Sequence, residues 1–182
     1  MTISANDVKA LREKTGAGMM DCKKALEETG GNPEQAIAYL REKGISKAAS
    51  KATRTAKEGL IYAYIHPGDK LGVLVEVNCE TDFVARTDDF RGLVKDIAMH
   101  IAATDPASVS RDEINPTLVE SERQIYRTQA INEGKPEKIL DKIVEGKLEK
   151  FYAESCLLEQ AFVKDPERTI NDLLQQTIAK IG

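Results

Sequence analysis

The sequence predicts an α+β protein in which helices dominate. Most of the chain repeats apolar residues at helical spacing, between residues that typically begin helices and glycines or prolines that end them. One stretch, residues 60–79, alternates apolar with polar residues instead, as the two strands of a hairpin do. Of the 182 residues, 41% are hydrophobic and 31% are charged, which is typical of a globular chain and excludes a fibrous or disordered one.

Residues 1–45 predict three short helices that form an N-terminal domain. Ser4 is the expected cap of the first helix. The second is expected over Met19–Thr29, before two glycines. Asn32 is expected to cap the third, which carries a proline at its first position and should end at Gly44. A domain of this size has a small core and should depend on a neighbour for stability.

Residues 46–58 are rich in Ala, Lys and Ser and predict a helical or semi-ordered basic linker. Four cations recur there every three or four residues: Lys47, Lys51, Arg54 and Lys57. Such a helix face can follow the phosphates of a nucleic acid, although a solvated charged face is commoner. Because no aromatic residue lies among them to stack on bases, a nucleic-acid-binding module stays an alternative and direct binding is not expected.

Residues 59–182 predict an α+β core domain that begins with a β-hairpin. Two alternating stretches flank the turn residues Pro67–Asp69. Side chains on a strand point alternately to opposite faces, so Cys79 shares the apolar face with the valines of the second strand. We therefore expect Cys79 to point at the core.

Helices with one short strand are expected after the hairpin, because start and stop signals continue to the end of the chain. The signals are caps at Thr87 and Thr169, a capping box at Ser110 and Glu113, a helix end at Gly134, a helix start at Pro136 and a strand at Phe162–Val163.

Side chains that carry catalysis or bind metals are few. The chain has two histidines and three cysteines, with neither Cys-x-x-Cys nor His-x-x-x-His spacing, so a metal site and a disulfide framework are not expected. His66 and Cys79, the pair to test as base and nucleophile, lie far apart along the predicted hairpin. We expect buried reduced thiols, no cofactor and no enzyme, and a thiol enzyme is the least favoured alternative.

The expected location and the net charge exclude further classes of protein. No apolar run approaches the roughly 20 residues of a membrane-spanning helix. The N-terminus lacks the basic-then-apolar layout of a signal peptide. We therefore expect a cytosolic chain that does not bind membranes. Its formal net charge of -4 excludes a wholly basic nucleic-acid coat.

Two places favour contact with a partner. Met19 and Met20 are consecutive, so one of them lies off the buried face of its helix, and beside Leu11 it would form an adaptable apolar surface. The pattern is about equally compatible with packing of both methionines in the core.

The second place is the connector after the hairpin. Thr81 can cap a short turn there, and Asp82 and Phe83 follow as adjacent groups. Phe83 is either tucked beneath this connector or exposed as a binding residue, and the sequence does not decide between the two.

Two long motifs resemble the signature segments of bacterial translation elongation factor Ts, the nucleotide exchange factor of elongation factor Tu. They are TGAGMMDCKK at 15–24 and VNCETDFVAR at 77–86. Three shorter stretches also match: NEGKP at 132–136, IVEGKLEKF at 143–151 and FVKD at 162–165. Together they cover essentially the whole chain, which resembles the compact form of the family without a coiled-coil insertion.

The resemblance implies a fold and a function. The fold is an N-terminal domain similar to ubiquitin-associated domains, followed by a dimerisation-type core of antiparallel strands and helices. Relatives usually continue beyond Gly182 into another strand, so we expect one final strand to be missing here. The implied function is guanine nucleotide exchange on elongation factor Tu during translation elongation in the cytoplasm, through binding of its GDP-bound and nucleotide-free forms. A homodimer is compatible with this core.

The resemblance also implies two sets of site residues. In the family, the motif that matches Thr81, Asp82, Phe83 and Val84 wedges beside the magnesium and phosphate site of elongation factor Tu. The N-terminal domain docks on the nucleotide-binding domain of the same partner. Carried over to this chain, the expected exchange wedge consists of Thr81, Asp82, Phe83 and Val84. The expected docking residues are Leu11, Met19 and Met20.

Overall fold

The computed structural model describes residues 3–15, 17–51 and 56–181, and for 45–51 it describes the backbone alone. The α+β prediction is confirmed, and in this part of the chain no helix is long and apolar enough to cross a membrane. The elements are α1 (Ala5–Thr15), α2 (Met19–Glu28), α3 (Pro33–Lys51), β1 (Glu58–Ile65), β2 (Gly72–Cys79), α4 (Asp82–Ala85), α5 (Asp88–Thr104), α6 (Pro116–Asn132), α7 (Glu137–Ser155), β3 (Ala161–Phe162), β4 (Asp165–Thr169) and α8 (Ile170–Ile181).

The chain divides into two compact units. Unit 1 contains Met1–Tyr62, Val75–Lys95 and Asp172–Gly182, and unit 2 contains Ala63–Leu74 and Asp96–Asn171. The domain boundaries predicted from the sequence, 1–45, 46–58 and 59–182, stay a prediction.

The three N-terminal helices of unit 1 begin where the sequence predicts. The Ser4 hydroxyl accepts a hydrogen bond from the Asp7 amide at 3.2 Å. The Asn32 side chain accepts from the amides of Glu34 and Gln35 at 3.0 and 3.1 Å. Such caps satisfy amides that have no partner within the helix. The helices pack around a small buried cluster: Val8, Leu11, Cys22, Ala25, Leu26 and Ala36.

Helix α3 does not end at Gly44, contrary to the prediction, but continues to Lys51. Glycine ends a helix when it adopts a positive φ, as Gly30 and Gly31 do after α2 at 62° and 85°. Gly44 is not among the described glycines with a positive φ, so the backbone continues as helix. Residues 46–51 of the predicted linker are therefore helical, and 52–55 lie outside the described residues.

Strands β1 and β2 form the predicted hairpin as a two-stranded sheet. Burial alternates along both strands, and Cys79 at the end of β2 is buried, which confirms the predicted orientation. The turn between the strands contains Gly68 and Asp69 at φ 101° and 58°. The inward side chains join an apolar cluster in unit 1 whose buried members are Cys79, Ala85, Phe90 and Val94.

In unit 2, helices α6 and α7 pack against each other. The predicted capping box at Ser110 and Glu113 is wrong. Among the described residues the Ser110 side chain makes no capping hydrogen bond, and only a 3-10 turn, Arg111–Glu113, follows it. The helix begins after Asn115 instead, whose side chain accepts from the Thr117 amide at 2.9 Å. Asn115 is followed by a proline at the first helical position, a stronger start signal than the predicted box.

Unit 2 also buries one histidine. His100 on α5 is 0% exposed, and its Nε2 lies 2.9 Å from the Gln160 side-chain oxygen. Its Nδ1 accepts from the Val163 amide, so Nε2 carries the proton and donates to Gln160. Burial lowers the pKa of His100, although the hydrogen bond to Gln160 opposes this. The folded protein therefore favours neutral imidazole, because a proton on Nδ1 would face the Val163 N–H.

The first prediction concerns pH. Since the pKa of His100 is lower in the folded than in the unfolded chain, its neutral form stabilises the protein above about pH 6.5, and this stability is lost as the pH falls below that value. Urea unfolding between about pH 7 and about pH 5.5 should show a falling free energy of unfolding. The slope of the free energy of unfolding against pH should persist in His66→Asn, which alters an exposed histidine. It should flatten in His100→Gln. An equal slope in His100→Gln and the unmodified chain would contradict this assignment.

Candidate functional site

The candidate site is the connector between β2 and α5, which contains the one-turn helix α4. Thr81 precedes α4 in an extended conformation, with φ -139° and ψ 152°. Its hydroxyl accepts a hydrogen bond from the Val84 amide at 3.3 Å. The sequence-based expectation that Thr81 caps a short turn is therefore confirmed.

Hydrogen bonds hold the connector at both ends. At its start, the Cys79 thiol donates to the Thr81 carbonyl at 3.2 Å. Burial raises the pKa of this thiol and outweighs the opposing effect of its hydrogen bonds to the backbone of Thr81 and Ala85, so it stays protonated and able to donate. At the other end, the Thr87 hydroxyl donates to the Val84 carbonyl at 2.8 Å and accepts from the Phe90 amide at 3.2 Å.

One side of α4 is anchored on the core of unit 1. Ala85 is buried in the cluster that contains Cys79, Phe90 and Val94, and Val84 packs against the same cluster. Burial of these small apolar groups stabilises the position of a helix too short to persist alone. The backbone of α4 is thus fixed by packing on one side and by hydrogen bonds at its ends.

The other side of α4 presents Phe83 to solvent. This side chain is 79% exposed, the largest exposed fraction among the large hydrophobic residues of the described chain. Phe90, seven residues later, is only 3% exposed. The question that the sequence left open is therefore answered: Phe83 is not tucked beneath the connector. An exposed aromatic residue on a fixed backbone has the properties of a binding residue.

Asp82 lies beside Phe83 and forms an ion pair with Arg86 at 3.0 Å, one helical turn away. The two side chains are 47% and 73% exposed, so the pair contributes only about 0.3–0.5 kcal/mol. Asp82 can therefore exchange this partner for another cation at little cost. The four-residue spacing from Asp82 to Arg86 indicates such a pair only once a helix is assigned there, so Arg86 is not among the predicted site residues.

The predicted docking residues occupy two different environments. Met19 and Met20, at the start of α2, are 49% and 75% exposed. Leu11 is 2% exposed and belongs to the buried cluster of the three N-terminal helices. In this structure Leu11 packs the helices together, whereas the methionines provide the exposed apolar surface.

Among the described residues, neither the cysteines nor the potential metal ligands form a second site. In the ranges described, no three His, Cys, Asp or Glu residues come together in a way that could hold a metal ion. All three cysteines are buried free thiols. Within the predicted basic face, Arg54 and the side chains of Lys47 and Lys51 lie outside the described residues.

Comparison with known proteins identifies similar chains. The profile of a family described as Elongation factor TS matches residues 2–182. The elongation factor Ts of Thermoanaerobacter sp. (strain X514) is 61% identical over 180 residues, which are 99% of this chain and 88% of that protein. The elongation factor Ts of Geotalea daltonii is 58% identical over 182 residues, which are 100% of this chain and 84% of that protein.

The second prediction contrasts two phenylalanines. Phe83→Ala should change the free energy of unfolding by less than about 0.5 kcal/mol, because its side chain is largely exposed in the folded protein. Phe90→Ala should cost about 3–5 kcal/mol, because it leaves a cavity in the cluster. Thermal or urea unfolding of both variants measures the difference. A similar loss in both would show that Phe83 is packed in solution.

Proposed function

The chain belongs to the elongation factor Ts family, and we propose that it is a guanine nucleotide exchange factor for elongation factor Tu. The observation that carries the mechanism is an exposed phenylalanine on a connector whose backbone is held in place. We further propose that the chain is not an enzyme and forms no covalent bond with its partner. Because translation elongation is a cytoplasmic process, the proposal also places the chain in the cytoplasm.

The exchange wedge consists of Thr81, Asp82, Phe83 and Val84. Two of these residues support the wedge, since Thr81 caps α4 and Val84 packs on the cluster beneath it. The other two face the partner. The exposed ring of Phe83 enters an apolar gap beside the nucleotide site. Asp82 brings a negative charge close to the bound magnesium and phosphates, where it repels the phosphates or disturbs the residues that order the metal.

The free energy for exchange comes from differential binding. A protein that binds the nucleotide-free form of its partner more tightly than the GDP-bound form weakens GDP binding by the same ratio, because the two equilibria are linked. The wedge creates this difference if the apolar gap of the partner that receives Phe83 opens fully only when GDP leaves. Burial of one phenylalanine ring contributes about 1.5–3 kcal/mol, which corresponds to a ratio of roughly ten to a hundred.

Docking is assigned to the exposed methionines of α2. Met19 and Met20 offer flexible, polarisable side chains that adapt to an apolar partner surface. Leu11 supports this surface from the core, since it packs in the cluster that holds α1, α2 and α3 together. Docking thus provides affinity, whereas the wedge acts on the nucleotide.

Two sequence-based alternatives stay predictions. Nucleic-acid binding by the segment 47–57 depends on side chains that lie mostly outside the described residues. The homodimer likewise stays a prediction. Neither alternative is needed for the exchange mechanism.

The third prediction concerns the wedge. Phe83→Ala should slow stimulated GDP release by roughly thirty-fold or more, which corresponds to the loss of about 2 kcal/mol from an aromatic contact at the centre of an interface. Asp82→Ala should cause a smaller loss, more in the release step than in binding, because Asp82 acts through its charge and not by burial of an aromatic ring. Release of labelled GDP from elongation factor Tu, measured at saturating concentrations of each variant, gives both values.

The matched control for the wedge is Phe83→Leu, which keeps an apolar side chain and should retain part of the activity. Binding of each variant to elongation factor Tu is measured separately. If complexes with Phe83→Ala and Asp82→Ala form and release GDP at the unmodified rate, exchange is driven by another surface.

The fourth prediction concerns docking. Met20→Glu should weaken complex formation by roughly ten-fold or more, because a charge replaces apolar area that becomes buried only in the complex. Its melting temperature should barely change, since Met20 is 75% exposed. Met20→Leu preserves the apolar area and serves as the control. Calorimetric binding and melting curves separate the outcomes: unchanged affinity for Met20→Glu would remove Met20 from the docking surface.

A further inference from the structure

The position of Phe83 presents a physical problem. An exposed ring is not held by its own packing, and α4 has only four residues, far fewer than a helix needs to persist in water. A flexible connector would have to be ordered when the partner binds, at an entropic cost. Thr81 caps the start of α4, so a contact that also holds its C-terminal end before binding would reduce this cost further.

Thr87 is the residue best placed to do so. Its hydroxyl donates to the Val84 carbonyl at 2.8 Å, near the C-terminal end of α4. The Thr87 amide donates to the same carbonyl at 3.0 Å. The hydroxyl also accepts from the Phe90 amide at 3.2 Å, in the first turn of α5. One side chain thus connects the end of the wedge helix to the start of the long helix that follows.

We propose that Thr87 is the positioning residue of the exchange wedge: its hydroxyl fixes α4 to α5 and so orients Phe83 before the partner binds. This inference rests on the proposed exchange function. Thr87 acts through Phe83, so its loss lowers the rate of GDP release in the docked complex and leaves docking by α2 unchanged.

The inference depends on separating two roles of the same hydroxyl. As an acceptor it caps α5 through the Phe90 amide, and as a donor it binds the Val84 carbonyl. An aspartate at position 87 keeps the first role, because Asp is a good helix cap, but a carboxylate has no proton to donate to Val84. A serine keeps both roles. A valine keeps the shape of threonine and loses both.

The experiment measures labelled GDP release from elongation factor Tu over a range of concentrations of each variant of the whole chain. At saturation, Thr87→Asp and Thr87→Val should be slower than the unmodified chain by roughly five-fold, the effect of one neutral hydrogen bond. Thr87→Ser should stay within about two-fold of the unmodified rate. The concentration that gives half-maximal release should stay unchanged, because docking is not altered.

A double-mutant cycle tests whether Thr87 acts through the wedge. In a Phe83→Ala background, Thr87→Asp should have almost no further effect on release. An effect of the same size in both backgrounds would instead show a general effect of the added charge, and would overturn the inference.

Amide hydrogen exchange provides a readout that does not depend on the partner. The amides of Ala85 and Arg86, which donate to Thr81 and Asp82, should exchange faster in Thr87→Asp. The Arg91 amide in α5 should be unaffected, since aspartate still caps that helix. Equal protection of Ala85 and Arg86 in the two proteins would show that α4 is held without Thr87.

Failure of the inference and failure of the proposed function give different results. If Phe83→Ala slows release and Thr87→Asp does not, Thr87 is not a positioning residue and the exchange function stands. If Phe83→Ala itself leaves release unchanged, the wedge is wrong, and the role of Thr87 is overturned with it.

Discussion

The site depends on one apolar cluster in unit 1, which joins the end of the hairpin to the start of α5. Cys79 from β2 and Phe90 and Val94 from α5 are buried in it together. Because both ends of the connector are held there, the backbone between them has little freedom. The cluster also takes Ala85 from α4, which leaves Phe83 on the outer side. The exposed aromatic residue is thus a consequence of how its neighbours are buried.

This arrangement separates stability from function along a short stretch of chain. Phe90 is buried and holds the fold together, whereas Phe83 is exposed and contributes little to it. A binding residue of this kind can contact a partner without unfolding its own support. The methionines of α2 show the same division, since Leu11 and Leu26 pack the helices while Met20 faces solvent.

Local signals in the sequence were sufficient for much of this fold. The caps at Asn32, Thr81 and Thr87 and the inward orientation of Cys79 follow from short-range hydrogen bonding and from the alternation of a strand. The end of α3 was predicted wrongly because a glycine permits a helix stop without requiring one.

What the sequence could not predict depends on contacts between distant residues. The exposure of Phe83 is decided by which side chains fill the cluster beneath it, and apolar composition alone does not specify that. The burial of His100 requires Gln160, sixty residues later, to accept a hydrogen bond from its Nε2–H.

Fluorine NMR of the chain labelled with 4-fluorophenylalanine tests the central claim most directly. The chain has four phenylalanines, and the signals of Phe83 and Phe90 can be assigned with the variants Phe83→Leu and Phe90→Leu. When nucleotide-free elongation factor Tu is added, the Phe83 signal should shift and lose its sensitivity to deuterated solvent, while the buried Phe90 signal stays the same. A complex that forms with the Phe83 ring still exposed to solvent would contradict the proposed wedge.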